Sequence, residues 1–252
     1  MIRLLDVHKA FGPKQVLRGF SLDVPEGGVT VLLGYSGSGK SVALKHIAGL
    51  LAPDAGRVEV DGEAVHELGR EALVRLRGRI GYVFQFAALL DSLSVGDNIR
   101  LALARRSLAP AEVEARVRES LAAVELPDAG DLMPAELSGG MRKRVGIARA
   151  ISYRPAYLLF DEPTTGLDPV TSAAIDELMA RTCRELGATG LVITHDLRSA
   201  FAIGDRIGML YHGRLRQVGT ADEIRATTDP VVRQFIEGRP GPPAAVAAGE
   251  EA

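Results

Sequence analysis

The chain has 252 residues, 46% of them hydrophobic and 25% charged, with a formal net charge of −2. That suits one large α/β domain, or a core with a small insertion, with ample apolar material to bury. The near-neutral balance excludes the basic footprint of a nucleic-acid binder. A single cysteine, Cys183, excludes an intramolecular disulfide or a cysteine metal cluster and fits a reducing compartment.

The N-terminus, Met1-Ile2-Arg3-Leu4-Leu5-Asp6, enters a strand pattern at once and lacks the long apolar core of a signal peptide. No run approaches the ~18 apolar residues of a membrane span, so the expectation is a soluble protein able to dock on a membrane complex. Residues 2–7 and 16–24 alternate as strands, joined through Gly12-Pro13. Residues 29–33 form a short apolar strand that runs into a glycine-rich loop, and residues 40–50 follow as a helix. Residues 57–60 and 63–65 flank Asp61-Gly62, a hairpin signal, and residues 80–84 are a further strand.

From about Phe86 the pattern turns helical. Residues 95–105, 111–124 and 139–152 are helix candidates, broken by Pro110, Pro127 and Pro134. The α/β pattern resumes with strand 157–160, helix 169–186, strand 190–194 and helix 196–203. A hairpin, 206–211 and 214–218, turns across His212-Gly213, and helices near 221–226 and 230–237 close the fold. Pro, Gly and Ala dominate residues 239–252, which read as a disordered tail. The division expected is one domain over 1–238, with core segments 1–85 and 153–238 and a helical subdomain over 86–152.

Gly34-Tyr35-Ser36-Gly37-Ser38-Gly39-Lys40-Ser41 matches G-x-x-x-x-G-K-[ST], between a strand and a helix. Its glycines let consecutive N–H groups face phosphate oxygens, and the helix adds the positive end of its dipole. Lys40 should reach the β- and γ-phosphates and Ser41 should ligate Mg²⁺. Tyr157-Leu158-Leu159-Phe160-Asp161-Glu162 is a buried strand that delivers two acids to the sheet edge where α/β proteins bind ligands. Asp161 would hold Mg²⁺, partly through water, and Glu162 would orient the attacking water. Leu137-Ser138-Gly139-Gly140-Met141 opens a helix with Ser138 as its N-cap. Arg142, Lys143 and Arg144 follow near a helix end that disfavours cations, a placement that makes sense if an anion docks there. By itself the segment is also an ordinary Ser-capped helix with a basic solvated face.

A phosphate loop, an LSGG signature about a hundred residues on and four apolar residues closed by Asp-Glu about twenty further resemble the ATPase subunit of an ABC transporter. The resemblance covers about residues 1–238. It implies a P-loop NTPase (RecA-like) core with an antiparallel β subdomain and a helical insertion. Gln85 resembles the Q-loop glutamine, which contacts Mg²⁺ or water and couples the site to membrane subunits. His195 resembles the switch histidine on the γ-phosphate, and Phe11 the aromatic that stacks on adenine. Asp168, in Gly166-Leu167-Asp168, resembles the D-loop at a dimer interface, although Asp168-Pro169 is equally a helix-capping pair. The implied assembly is a head-to-tail homodimer on a membrane permease, at the cytoplasmic face of the inner membrane. Each ATP would be held by one copy and covered by Ser138, Gly139, Gly140 and Met141 of the other.

Several stretches are similar to the ATPases of MCE-associated, Mla-type phospholipid transporters. They are Phe84-Gln85-Phe86-Ala87-Ala88-Leu89-Leu90-Asp91-Ser92-Leu93-Ser94-Val95, Leu132-Met133-Pro134-Ala135-Glu136-Leu137-Ser138-Gly139-Gly140-Met141, Pro163-Thr164-Thr165-Gly166-Leu167-Asp168-Pro169-Val170-Thr171-Ser172, and the C-terminal Asp229-Pro230-Val231-Val232-Arg233-Gln234-Phe235-Ile236-Glu237-Gly238. Met141 fits that branch. The similarity implies an MCE-type lipid-binding protein and a small STAS-domain protein as partners. Two positions depart from the common pattern. Val42 stands where a threonine usually bonds the α-phosphate, and Tyr35 where proline is frequent. Rival readings are an ABC ATPase for amino acids, lipoproteins or solvents, a non-transport ABC ATPase, or a P-loop kinase or GTPase. The last needs neither the signature nor Gln85.

Overall fold

Strands β1 (Ile2–Phe11) and β2 (Lys14–Val24) form a hairpin about Gly12-Pro13, with Ile2 opposite Val24 and Phe11 opposite Lys14. The computed structural model describes residues 1–239. Alternation in the sequence stops β1 at Val7, but the strand continues to Phe11. Asp6 takes a left-handed φ of 48°, and the pairing register shifts on either side of Val7. Such a bulge moves the side-chain alternation out of phase without ending the strand.

Strand β3 (Val29–Leu33) is buried throughout and leads through the glycine loop to helix α1 (Lys40–Ile47). The helix stops short of residue 50 because Gly49 turns to φ 65°. Strands β4 (Ala55–Val60) and β5 (Glu63–Ala64) meet across Asp61 (φ 54°) and Gly62 (φ 81°), the two positive φ angles of a type I′ turn. Helix α2 (Arg70–Arg77) is an addition to the sequence reading. Its residues are half charged, and Leu76 is its buried side chain, so it carries little apolar material to mark it in the sequence.

After β6 (Ile80–Val83) come the helices α3 (Val95–Leu103), α4 (Pro110–Ala123) and α5 (Gly139–Ile151). Then β7 (Tyr157–Asp161), α6 (Pro169–Leu186), β8 (Thr189–Thr194), α7 (Leu197–Ile203), β9 (Arg206–Tyr211) and β10 (Arg214–Gly219) alternate, and α8 (Ala221–Arg225) and α9 (Pro230–Ile236) follow. Apart from Arg239, the expected disordered tail lies outside the described residues.

Two sheets result. One is antiparallel, in the order β2-β1-β4-β5. The other runs β10-β9-β3-β8-β7-β6, parallel except at its β10 edge. Alternate residues of the parallel strands serve two cores. Leu159, Leu191 and Ile193 pack with Phe20, Leu44 and Ile47 between the sheets and α1. Leu158, Phe160 and Val192 pack with Ile147, Ile175 and Met179 against the helices. In register, Leu33 pairs with Thr194, Asp161 with Ile193 and Val83 with Phe160. The C-terminal ends of β3, β6, β7 and β8 therefore meet at one edge, the ligand edge of an open α/β sheet. Among the described residues no helix is long and apolar enough to cross a membrane.

Candidate functional site

Beyond Leu33 the chain folds back on itself. Gly37 (φ 80°) and Gly39 (φ 109°) take left-handed conformations. A Cβ at Gly39 would stand 2.9 Å from Leu17 Cδ2 and 3.1 Å from the Val16 carbonyl, so glycine is required there on two grounds. The Ser38 N–H donates to the Tyr35 carbonyl at 3.2 Å, closing the curl. Helix α1 begins without a side-chain cap, which leaves its first N–H groups facing the cleft. Lys40 is buried, and its Nζ donates to the carbonyls of Gly34 (2.8 Å) and Tyr35 (3.0 Å) and pairs with Glu162 Oε1 at 3.3 Å. Burial lowers the Lys40 pKa, and the charge of Glu162 opposes that shift.

Asp161 ends β7 with both oxygens engaged. Oδ1 accepts from Ser41 Oγ at 2.8 Å and Oδ2 from the Tyr82 hydroxyl at 2.9 Å. Burial pushes the Tyr82 phenol pKa up, and the Asp161 charge adds to it. Glu162 leaves the strand at φ 49° and donates its N–H to the Ile193 carbonyl at 3.0 Å. Its Oε2 lies 2.7 Å from His195 Nδ1 and accepts from Thr165 Oγ1 at 3.3 Å. A carboxylate only accepts, so this contact is a hydrogen bond in the His195 tautomer that carries hydrogen on Nδ1.

Lys40, Ser41, Glu162, Thr165 and His195 line a cleft of about 580 Å³ together with Phe11, Lys14, Ser36, Val42 and Gln85, and Asp161 is tied to it through its bond from Ser41. Phe11 stands at its rim, 48% exposed. Ser41 and Asp161 present hard oxygen donors side by side. Mg²⁺ takes such a set when phosphate oxygens and water supply the other ligands, so the donors fit that ion.

The signature lies elsewhere. Ser138 caps α5, accepting from the Met141 N–H at 3.2 Å. A Cβ on Gly140 would meet Thr171 Cγ2 at 2.8 Å, which places this turn against the start of α6. There Asp168 accepts from the Val170 and Thr171 N–H groups, both at 3.0 Å. Ser138, Gly139 and Asp168 are exposed, and none of Ser138, Gly139, Gly140, Met141 and Asp168 is among the described residues lining the cleft.

The basic run behind the signature corrects the sequence expectation. Lys143 is buried and donates to the Gln85 carbonyl, while Arg144 donates to the Val124 carbonyl at 2.9 Å and pairs with Glu125 at 2.6 Å. Arg142 is exposed and donates to the Pro134 carbonyl at 3.3 Å. These cations are committed within the chain rather than gathered for an anion. Arg149 extends the pattern, donating to the carbonyls of Ala87 (2.7 Å) and Ala88 (2.5 Å), both in left-handed conformations. Helix α5 thus holds the loop that carries Gln85. Tyr82, Arg149 and Thr165 are site or support residues to which the sequence reading gave no role, and Lys143 was read only as part of the basic run. Thr165 alone carried a signal, standing three residues after Glu162 in a turn-rich run.

Residues 17–165 match the family model described as ABC transporter. The chain belongs to the ABC transporter family. It is 39% identical over 240 residues to a probable ribonucleotide transport ATP-binding protein, Mkl, of Mycobacterium leprae, covering 94% of this chain and 69% of that protein. It is 36% identical over 239 residues to the intermembrane phospholipid transport system ATP-binding protein MlaF of Escherichia coli K12, covering 94% of this chain and 89% of MlaF. Among solved structures, an ATP-binding cassette in a dimeric post-hydrolysis state bound to ADP and Pi superposes with a TM-score of 0.79 at 33% identity, covering 88% of this chain and 99% of that one. This ABC protein therefore has the P-loop ABC ATPase fold, resembles the Mla-type ATPases, and is an ATP hydrolase.

Proposed function

We propose that this ABC ATPase powers phospholipid transport between membranes of a bacterial envelope and works as a head-to-tail homodimer. One observation carries the dimer. Lys40, Ser41, Glu162, His195 and Gln85 line one cleft, with Asp161 bonded to Ser41, while Ser138 and Gly139 of the capped signature are exposed and do not line it. In this reading one copy binds ATP with residues 34–41, Val42 and Phe11. The Ser138, Gly139, Gly140 and Met141 turn of the second copy, with its Asp168 loop, closes over the γ-phosphate. Mg²⁺, held by Ser41 and Asp161 with Gln85 nearby, would supply charge neutralisation at the phosphates. Lys40 adds a buried positive charge. Glu162 orients the attacking water, and the 2.7 Å contact with His195 fixes the direction its carboxylate faces.

The phospholipid assignment rests on the likeness to MlaF over 89% of that protein and on residues 229–238, which lie outside the general ATPase motifs. Next to Gln85, a groove of about 360 Å³ is lined by Tyr82, Phe84, Leu101 and Tyr153. Phe86 stands beside these residues in the chain, 84% exposed. An apolar patch on a helical face suits an inserted segment of a membrane permease. The chain would then sit peripherally on the cytoplasmic face of the inner membrane. An MCE-type lipid-binding protein would share the complex, and a small STAS-domain protein would bind the ATPase. Affinity purification from native membranes, with protein and lipid mass spectrometry on one sample, tests this. A permease, an MCE protein and phospholipid are expected. A permease with a soluble-substrate receptor and no MCE protein would overturn the lipid assignment.

A further inference from the structure

Tyr35 in the phosphate loop and Phe235 in α9 pack edge to face, with ring centroids 4.6 Å apart and planes at 86°. Tyr211, at the end of β9, is a second neighbour of the Tyr35 ring at 6.1 Å. The helix that brings Phe235 there is pinned at its other end. Asp229 caps it, accepting from the Val231 and Val232 N–H groups at 2.9 and 3.1 Å, and pairs with Arg216 of β10 at 2.7 Å. Val231 and Val232 are fully buried, and Phe235 follows one turn later. Helix α9 thus spans from the sheet edge to the phosphate loop.

On the loop side, the Tyr35 carbonyl receives both the Ser38 N–H (3.2 Å) and Lys40 Nζ (3.0 Å), so its backbone belongs to the phosphate cradle. Its ring projects outward, 38% exposed, onto Phe235. Three glycines among residues 34–39 leave this loop many alternative conformations. A ring held from outside removes some of them before nucleotide arrives, and such preorganisation appears as affinity.

We propose that Phe235 is a positioning residue for ATP binding. Through the Tyr35 ring it holds the phosphate loop in its cradle conformation, so the seating of α9 sets the affinity for nucleotide. The inference rests on membership of the ATPase family and adds a residue outside the family's nucleotide motifs.

The test uses the full chain, with fluorescent ATP-analogue titration beside steady-state hydrolysis. Phe235→Ala should raise Kd and KM about 3- to 10-fold, the scale of one aromatic pair, with kcat within about twofold. Phe235→Tyr keeps a ring and should restore the wild-type Kd. Tyr35→Ala, which removes an outward ring and leaves the core intact, should produce the same rise. It carries the test if Phe235→Ala fails to fold. The double variant should bind no more weakly than either single one. An unchanged Kd in Tyr35→Ala, additive losses in the double variant, or a fall in kcat at unchanged Kd would each overturn the proposal.

Discussion

Glu162 combines a left-handed φ of 49° with contacts to Lys40, Thr165 and His195. Such backbone conformations cost about 1–3 kcal/mol and persist where surrounding contacts enforce them. Here the turn aims the carboxylate into the cleft rather than along the strand. Glu162→Gln should cut ATP turnover by at least about 100-fold while nucleotide binding persists, which parallel hydrolysis and binding assays would show. Val42 lines the cleft without a hydroxyl. Val42→Thr adds a donor and should tighten ATP binding about 3- to 10-fold, the net worth of one hydrogen bond, measured as Kd. A separate residue adds a pH dependence to stability. Asp176 of α6 is 4% exposed, and burial pushes its carboxyl up to about 6 from 3.8. The folded chain then binds more protons than the unfolded one between those values, so this group's contribution to stability falls as pH rises from about 4 to 6. Asp176→Asn should flatten that slope and stabilise the protein by ~1–3 kcal/mol above pH 7, measured by denaturant unfolding across pH.

At the scale of elements, α5 links two regions that the sequence presents separately. Its N-terminus carries the signature, and its Lys143 and Arg149 hold the carbonyls of Gln85, Ala87 and Ala88. Burial lowers the Lys143 pKa, and the Glu162 charge opposes it, so this cation also feels the Glu162 carboxylate. Lys143→Met keeps the apolar stem and strands the Gln85 carbonyl. It should cost about 1–3 kcal/mol of stability and lower hydrolysis more than ATP binding, as thermal unfolding and kinetics would report. What the sequence showed and what it hid follow one rule here. The phosphate loop and the Asp161-Glu162 strand end were legible because their chemistry is contiguous and their strand–loop–helix context is local. The contacts of Tyr82, Lys143 and Phe235 were not, because each joins a residue 58 or more positions away in a way that only packing creates. The extension of β1 was hidden by the shift at Asp6, and α2 by its single buried side chain.

For the whole molecule, the ends of β3, β6, β7 and β8 bring the phosphate loop, Gln85, Glu162 and His195 to one sheet edge, Phe11 comes from the other sheet, and the signature turn is not among the described residues lining the cleft. Within one chain the cleft therefore has a floor and no cover. In the proposed dimer a second copy, turned head to tail, would supply the cover twice by symmetry. In that dimer ATP would be the contact that closes the pair, and hydrolysis would remove it. The most direct test measures solution mass with ATP present, by light scattering, for two variants. Glu162→Gln should shift from the chain mass of 26.8 kDa to twice that value. Glu162→Gln combined with Ser138→Arg should bind ATP and stay at the single-chain mass. Loss of ATP binding by the monomeric double variant, or its dimerisation to the same extent, would contradict a signature that acts on its partner's nucleotide.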